Sequence, residues 1–124
     1  MQISERTVGG VIILDLEGRL VAEDGVPLFL ERMNGLIRLR RTKILLNFEH
    51  VTYLDSAGVG AIAWKYVTAQ KHNGHVKLLN LKTKTHTILA LTKLLTVLES
   101  FDSEEAAIES FVGPEEDETN PIFM

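Results

Sequence analysis

The 124-residue chain contains no cysteine. That excludes disulfides, thiolate metal sites and cysteine nucleophiles, and it fits a reducing compartment. No apolar run approaches the roughly 20 residues that a membrane-spanning helix requires. The opening Met1-Gln2-Ile3-Ser4-Glu5-Arg6 lacks a basic stretch followed by an apolar one, so no secretory signal is expected. Positive charge is not in excess either. Thirteen Lys and Arg stand against seventeen Asp and Glu, a formal charge of −4, which argues against a surface built to displace counterions from nucleic acid. One basic run, Ile37-Arg38-Leu39-Arg40-Arg41, reads as the solvated end of a helix, where cations are favoured. The expectation is a cytoplasmic protein without direct nucleic-acid contact and without a membrane segment.

Hydrophobic residues make up 45% of the chain and charged residues 24%, ordinary values for one soluble globular domain with a core of its own. The first strand is expected over Gln2–Val8. Gly9-Gly10 then suits the positive φ angles of a tight hairpin, and a second strand follows over 11–17 with Gly18 ending it. Ile12, Leu14 and Leu16 alternate onto one face, while Val11 and Ile13 require some cover on the other. Asp24 is the expected N-cap of a helix with Pro27 in its first turn and Val26, Phe29, Leu30, Met33, Leu36 and Ile37 as its inner stripe. Residues 43–48 are nearly all apolar, as in a strand buried on both faces. A second helix starts near Ser56, with Val59, Ile62, Ala63, Tyr66 and Val67 expected on one face and Asn73-Gly74 at its end.

A fourth strand is expected over 75–81. A third helix, capped by Thr83 or Thr85, turns Ile88, Leu89 and Leu91 inward. A short last strand is expected over 96–101. Ser103 caps a final helix with Glu104 and Glu105 in its first turn and Ala107, Ile108 and Phe111 buried. The order β-β-α-β-α-β-α-β-α defines an α/β fold in one domain, residues 1–112. An antiparallel hairpin is followed by parallel strands in a mixed sheet of about four to five strands, packed with about four helices. Residues 113–124 form an acidic tail whose composition predicts disorder.

In an open α/β sheet, sites form beyond the carboxyl ends of the strands. One such junction carries a concentrated signal: Asp55-Ser56-Ala57-Gly58-Val59-Gly60. Ser56 falls at or beside the N-cap of the second helix, where first-turn N–H groups are unpaired. A hydroxyl there is most simply an ordinary cap. The early glycines are less ordinary, because each lowers helix propensity and something must offset that.

The stretch Asn47-Phe48-Glu49 … Tyr53-Leu54-Asp55-Ser56-Ala57-Gly58-Val59-Gly60 resembles the signature of the STAS family, the anti-sigma-factor antagonists of bacteria. The resemblance runs from about residue 5 to residue 111. It takes in Gly18 and Leu20, the strand order, and the leucine-rich segment before Phe101-Asp102-Ser103-Glu104-Glu105-Ala106. It implies a non-enzymatic switch without a cofactor. The unmodified protein binds an anti-sigma factor that is also a serine kinase and so frees the sigma factor. Phosphorylation of the serine that maps to Ser56 ends binding, and a serine phosphatase resets the cycle. Asp55, Ala57, Gly58 and Val59 are the implied partner contacts, with Arg19, Leu20 and Val21 at the same end of the sheet. Two positions depart from the family pattern: Ala57 replaces a second hydroxyl, and Val21 stands where aspartate is frequent. A scaffold of a stress-signalling assembly and a transporter subunit are the alternatives within the same fold, and self-association is left open.

Enzymatic readings are weaker. Leu54 replaces the first glycine of a nucleophile elbow, so Ser56 does not read as a hydrolase serine. No sequence logic joins His50, His72, His75 or His86 to Ser56 and an acid. His72 and His75 lie between a helix end and a strand start and do not share a helical face as in a His-Glu-x-x-His site, and no phosphate-binding Gly-x-x-x-x-Gly-Lys-(Ser/Thr) loop is present.

Overall fold

The structure is a computed structural model that describes residues 1–112. The tail expected over 113–124 lies outside the described residues. Five strands and four helices occur in the expected order: β1 (Gln2–Val8), β2 (Val11–Leu20), α1 (Gly25–Arg38), β3 (Lys43–Leu54), α2 (Ser56–Lys71), β4 (His75–Leu79), α3 (Thr83–Leu91), β5 (Ser100–Phe101) and α4 (Glu104–Ser110), with a 3-10 turn at Leu94–Thr96. The sheet order is β1-β2-β3-β4-β5, antiparallel between β1 and β2 and parallel elsewhere. Gly9 and Gly10 turn the hairpin with φ of 58° and 81°, angles that side-chain-bearing residues adopt only with strain.

The alternation along β2 divides the core. Ile12, Leu14 and Leu16 join Ile44, Leu46, Val76 and Leu78 under α1, α2 and α3, where Phe29, Met33, Ile62 and Leu89 meet them. Val11, Ile13, Leu45 and Leu79 point the other way, to Ala107 and Phe111 of α4. Both faces of the central strands are therefore covered, which is why residues 11–14 of β2 and 44–46 of β3 are unbroken apolar runs. Ser103 caps α4 through a bond from the Ala106 N–H to its Oγ (3.2 Å). Arg6 ties α4 to the sheet by bonding both Asp15 (2.6 Å) and Glu104 (2.7 Å). Partial burial raises the Asp15 pKa, but the bonds from Arg6 and Asn47 outweigh it and hold that carboxyl below its usual range.

Several expectations are corrected. The strand expected to stop at Gly18 continues to Leu20, and its partner β3 continues past Phe48 to Leu54. Gly18 (φ 113°) sits beside a register shift, and the chain pairs on beyond it: Glu17 with His50, Arg19 with Tyr53, Leu20 with Leu54. A bulge lets a strand bend and go on where a glycine read alone suggests its end. The last strand is two residues long, because Thr96 belongs to the 3-10 turn, and β4 stops at Leu79. Leu91, expected inside, is 76% exposed, and Val67 is 47% exposed. Lys82, not a threonine, is the N-cap residue of α3, with Thr85 Oγ1 accepting from the Lys82 N–H (3.1 Å). Asp24 holds the N-cap position of α1, but its side chain takes the α-amino group of Met1 (2.7 Å) instead of capping the helix.

The inner stripe of α1 is as expected, with Phe29, Met33, Leu36 and Ile37 buried. Gly35 lies inside this helix with open space where a Cβ would stand. Gly35→Ala is therefore expected to stabilise the protein by about 1 kcal/mol, read as a higher urea midpoint at unchanged slope.

Candidate functional site

The extended pairing of β2 with β3 brings Leu20 and Leu54 side by side at one end of the sheet. Immediately beyond, Asp55 adopts an extended conformation (φ −103°, ψ −176°) as the N-cap of α2, and Ser56 is the first helical residue. Asp55 holds two segments at once. Its Oδ1 accepts the Gly58 N–H at 2.9 Å, and its Oδ2 accepts the Ala22 N–H at 3.1 Å, from the loop between β2 and α1. Its own N–H reaches the Leu20 carbonyl at 3.4 Å. The Gly58 bond is the main reason the Asp55 carboxyl is held below its usual pKa; slight desolvation acts against it, and the Ala22 and Ala57 N–H groups add to the lowering.

Gly58 has a steric task. A Cβ there would lie 2.3 Å from the Leu20 carbonyl oxygen and 2.8 Å from Leu54 Cδ1. The first turn of α2 is thus pressed against the end of β2, closer than any side chain allows. Residues two apart on a helix are about 200° apart around the axis, so the buried side at Gly58 turns Ser56 outward, and Ser56 is exposed.

Of the other residues expected at the site, Arg19 is exposed and its guanidinium carbon stands 6.0 Å from the centroid of the Tyr53 ring. Asp55, Ala57 and Val59 are half-buried. The Leu20 and Val21 side chains are buried, and Gly58, also buried, packs against the Leu20 carbonyl. Sequence reasoning missed Ala22, whose N–H completes the Asp55 bridge, and Tyr53, which is 49% exposed. It also missed Trp64, 58% exposed, although Ser56, Gly60 and Trp64 recur every four residues and that spacing is plain in the sequence. A cavity of about 330 Å³ lies at the same end, between Tyr53 and Leu54 of β3 and Thr83, Thr85 and Ile88 of α3.

His72 Nδ1 lies 2.9 Å from the Thr68 carbonyl, a helix-end contact. Among the described residues, no group of three or more His, Cys, Asp or Glu is placed to hold a metal ion. Among them too, no helix is long and apolar enough to cross a membrane.

The sequence model of the STAS domain matches residues 2–107, and the chain belongs to that family. An anti-sigma F factor antagonist from Paenibacillus polymyxa is 22% identical over 108 residues, covering 87% of this chain and 92% of that one. Solved structures share the fold. The anti-sigma factor antagonist SpoIIAA in its unphosphorylated form superposes with a TM-score of 0.71 at 22% identity, over 90% of this chain and 99% of that one. Its phosphorylated form, from Bacillus, gives 0.70 at 20% identity, over 89% and 99%. An anti-sigma factor antagonist from Mycobacterium paratuberculosis gives 0.76 at 15% identity, over 88% and 92%. The murine anion transporter Slc26a9 contains the same fold in 18% of its chain, matching 85% of this one with a TM-score of 0.71 at 16% identity.

The Asp55 bridge has a pH signature. The folded pKa is depressed, so the stabilisation is present above the unfolded value of about 3.9 and is lost as pH falls through the folded pKa. Asp55→Ala is expected to lower the denaturation midpoint at pH 7, and the gap from wild type is expected to narrow steadily in melts below about pH 4. Gly58→Ala must move the helix off Leu20. Its expected loss is about 1–3 kcal/mol in chemical denaturation, the range for overpacking.

Proposed function

We propose that this chain is an anti-sigma-factor antagonist, a cytoplasmic switch protein with no catalysis of its own. In its unphosphorylated form it binds an anti-sigma factor that is also a serine kinase, and the sigma factor is released. Phosphorylation of Ser56 ends that binding, and a serine phosphatase restores it. One observation carries the reading: Ser56 is exposed at the first position of α2, on the side of the helix facing away from the Gly58–Leu20 contact. Membership of the STAS family and the antagonist relative support it, as does the existence of SpoIIAA in two phosphorylation states.

The local electrostatics suit a switch. A phosphate on Ser56 brings about −1.5 to −2 charges at neutral pH. The Gly58 N–H, a natural ligand for an anion at a helix start, is already taken by Asp55. The new charge therefore stands beside an ionised carboxylate and stays at the surface. A partner shaped to a small neutral hydroxyl then meets a bulky dianion that it must desolvate. Arg19 and the exposed part of the loop after β2 lie at the same end of the sheet and complete the proposed contact area, together with Asp55, Ala57 and Val59.

The presence of this fold inside an anion transporter supports a second reading, a transporter or assembly subunit. Adjacent genes for a serine kinase and a sigma factor favour the switch, whereas adjacent transporter genes favour the other.

With the anti-sigma factor encoded beside it and ATP, wild type is expected to show a shifted band in phosphate-affinity electrophoresis. Ser56→Ala is expected to bind the anti-sigma factor and show no shift. Ser56→Asp is expected to bind at least tenfold more weakly, about 1.4 kcal/mol. Binding of Ser56→Asp at wild-type affinity removes the charge mechanism.

A further inference from the structure

Helix α2 carries its polarity inside out. Two of its sixteen residues are charged, Lys65 and Lys71. Lys71, exposed, closes the last turn at the C-terminal end of the outward side, and Lys65 is buried, 5% exposed. The outward side instead presents Ser56, Gly60, Trp64 and Val67, all exposed. At about 100° per residue these four fall within a sector of roughly 80°, and at about 1.5 Å per residue they form a strip some 16 Å long. A solvent-facing helix side is normally polar, and Trp is the side chain most enriched among residues that dominate binding energy.

Two further features of the strip point outward. A Cβ at Gly60 would have nothing within 4 Å of it, so no contact among the described residues calls for a glycine there; what its flatness admits is the close approach of another molecule between Ser56 and Trp64. The Lys65 ammonium lies 4.0 Å from the centroid of the Trp64 ring, and no carboxylate among the described residues pairs with it. Burial lowers its pKa without an opposing ion pair. The ammonium is not sealed from solvent, since among the described residues no buried side-chain nitrogen or oxygen lacks a hydrogen-bond partner. Only the stem is buried, and the charge stands unpaired beside an exposed ring where a carboxylate from another molecule can reach it.

We propose that the outward face of α2 is a docking surface for the anti-sigma factor, which lays an apolar patch along Gly60, Trp64 and Val67 and supplies an Asp or Glu carboxylate to Lys65. Trp64 is the anchor of this contact, and Lys65 selects partners that carry the acid. Ser56 lies at one end of the same strip, so a phosphate there opens the interface at its edge while Trp64 holds its middle. This inference rests on the reading of Ser56 as the switch residue.

The test is calorimetric titration of the full chain and its variants with the anti-sigma factor encoded beside it. Trp64→Ala is expected to bind at least 30-fold more weakly. Gly60→Ala is expected to melt at a higher temperature, since alanine favours the helix, yet to bind about tenfold more weakly, a combination that a purely structural role does not produce. Lys65→Met, which keeps the buried stem and removes the charge, is expected to fold normally, to bind more weakly, and to lose part of the salt dependence seen with wild type. Leu91→Ala, an equally exposed apolar change on α3, is expected to bind within about twofold of wild type. If Trp64→Ala and Gly60→Ala bind as wild type does while Ser56→Asp is weakened, the α2 docking face is overturned and the switch reading stands. If the anti-sigma factor fails to bind wild type at all, both fall together.

Discussion

The carboxylate of Asp55 is the group on which the site depends. It accepts one N–H from the first turn of α2 and one from the loop that follows β2, so a single residue ties the start of α2 to a loop residue 33 positions before it in the chain. Each bond is charge-assisted, and the α2 bond also places a negative charge at the positive end of the helix dipole. The bridge works only because α2 can come close enough to β2, and Gly58 permits that approach against the Leu20 carbonyl. Remove the acid and the loop loses its tether; add a side chain at Gly58 and the helix start must shift. Either change moves the hydroxyl of Ser56 relative to the rest of the exposed surface.

This arrangement explains why a poor helix start persists. Gly58 and Gly60 each lower helix propensity by about 1 kcal/mol relative to alanine, and both fall in the first five residues of α2. For Gly58 the compensation is internal, through the contact with β2 and the Asp55 cap. For Gly60 no compensation lies among the described residues, since the space above it is open. The two glycines of one motif therefore do different things: one shapes the domain, and the other shapes its surface.

The architecture separates stability from recognition. The large cluster under α1, α2 and α3 and the smaller one under α4 bury both faces of the central strands. The sheet carries the site at the ends of β2 and β3, where the core stops and the Asp55 bridge begins. Ser56 lies outside this core, so on the proposed reading a phosphate there would change surface charge and shape and leave the core packing in place.

The element order, the antiparallel opening hairpin, the two-sided burial of β2 and β3, and the Asp55-Ser56 junction are all legible in the sequence, because alternation, helical spacing and turn chemistry are local properties of the chain. Val11 and Ile13 beside Ile12 and Leu14 already require cover on both faces, and α4 supplies it. Tertiary contact decided the rest. Gly18 reads as a stop, yet β3 keeps pairing beyond it. Spacing alone assigns the inner side of α2 to Val59, Ile62, Ala63, Tyr66 and Val67. Ile62 is buried and Val59 and Tyr66 pack half-buried on the core, but Val67 is exposed and the helix also buries Gly58, Ala61, Lys65 and Ala69. In a helix so rich in alanine and glycine, no apolar stripe is wide enough to fix the rotation, and the close fit of Gly58 onto Leu20 sets it instead. That rotation put the stem of Lys65 inside and Trp64 outside. Propensity and pattern act over a few residues, whereas which side of a helix is pressed against a strand depends on surfaces that meet only once the chain has folded.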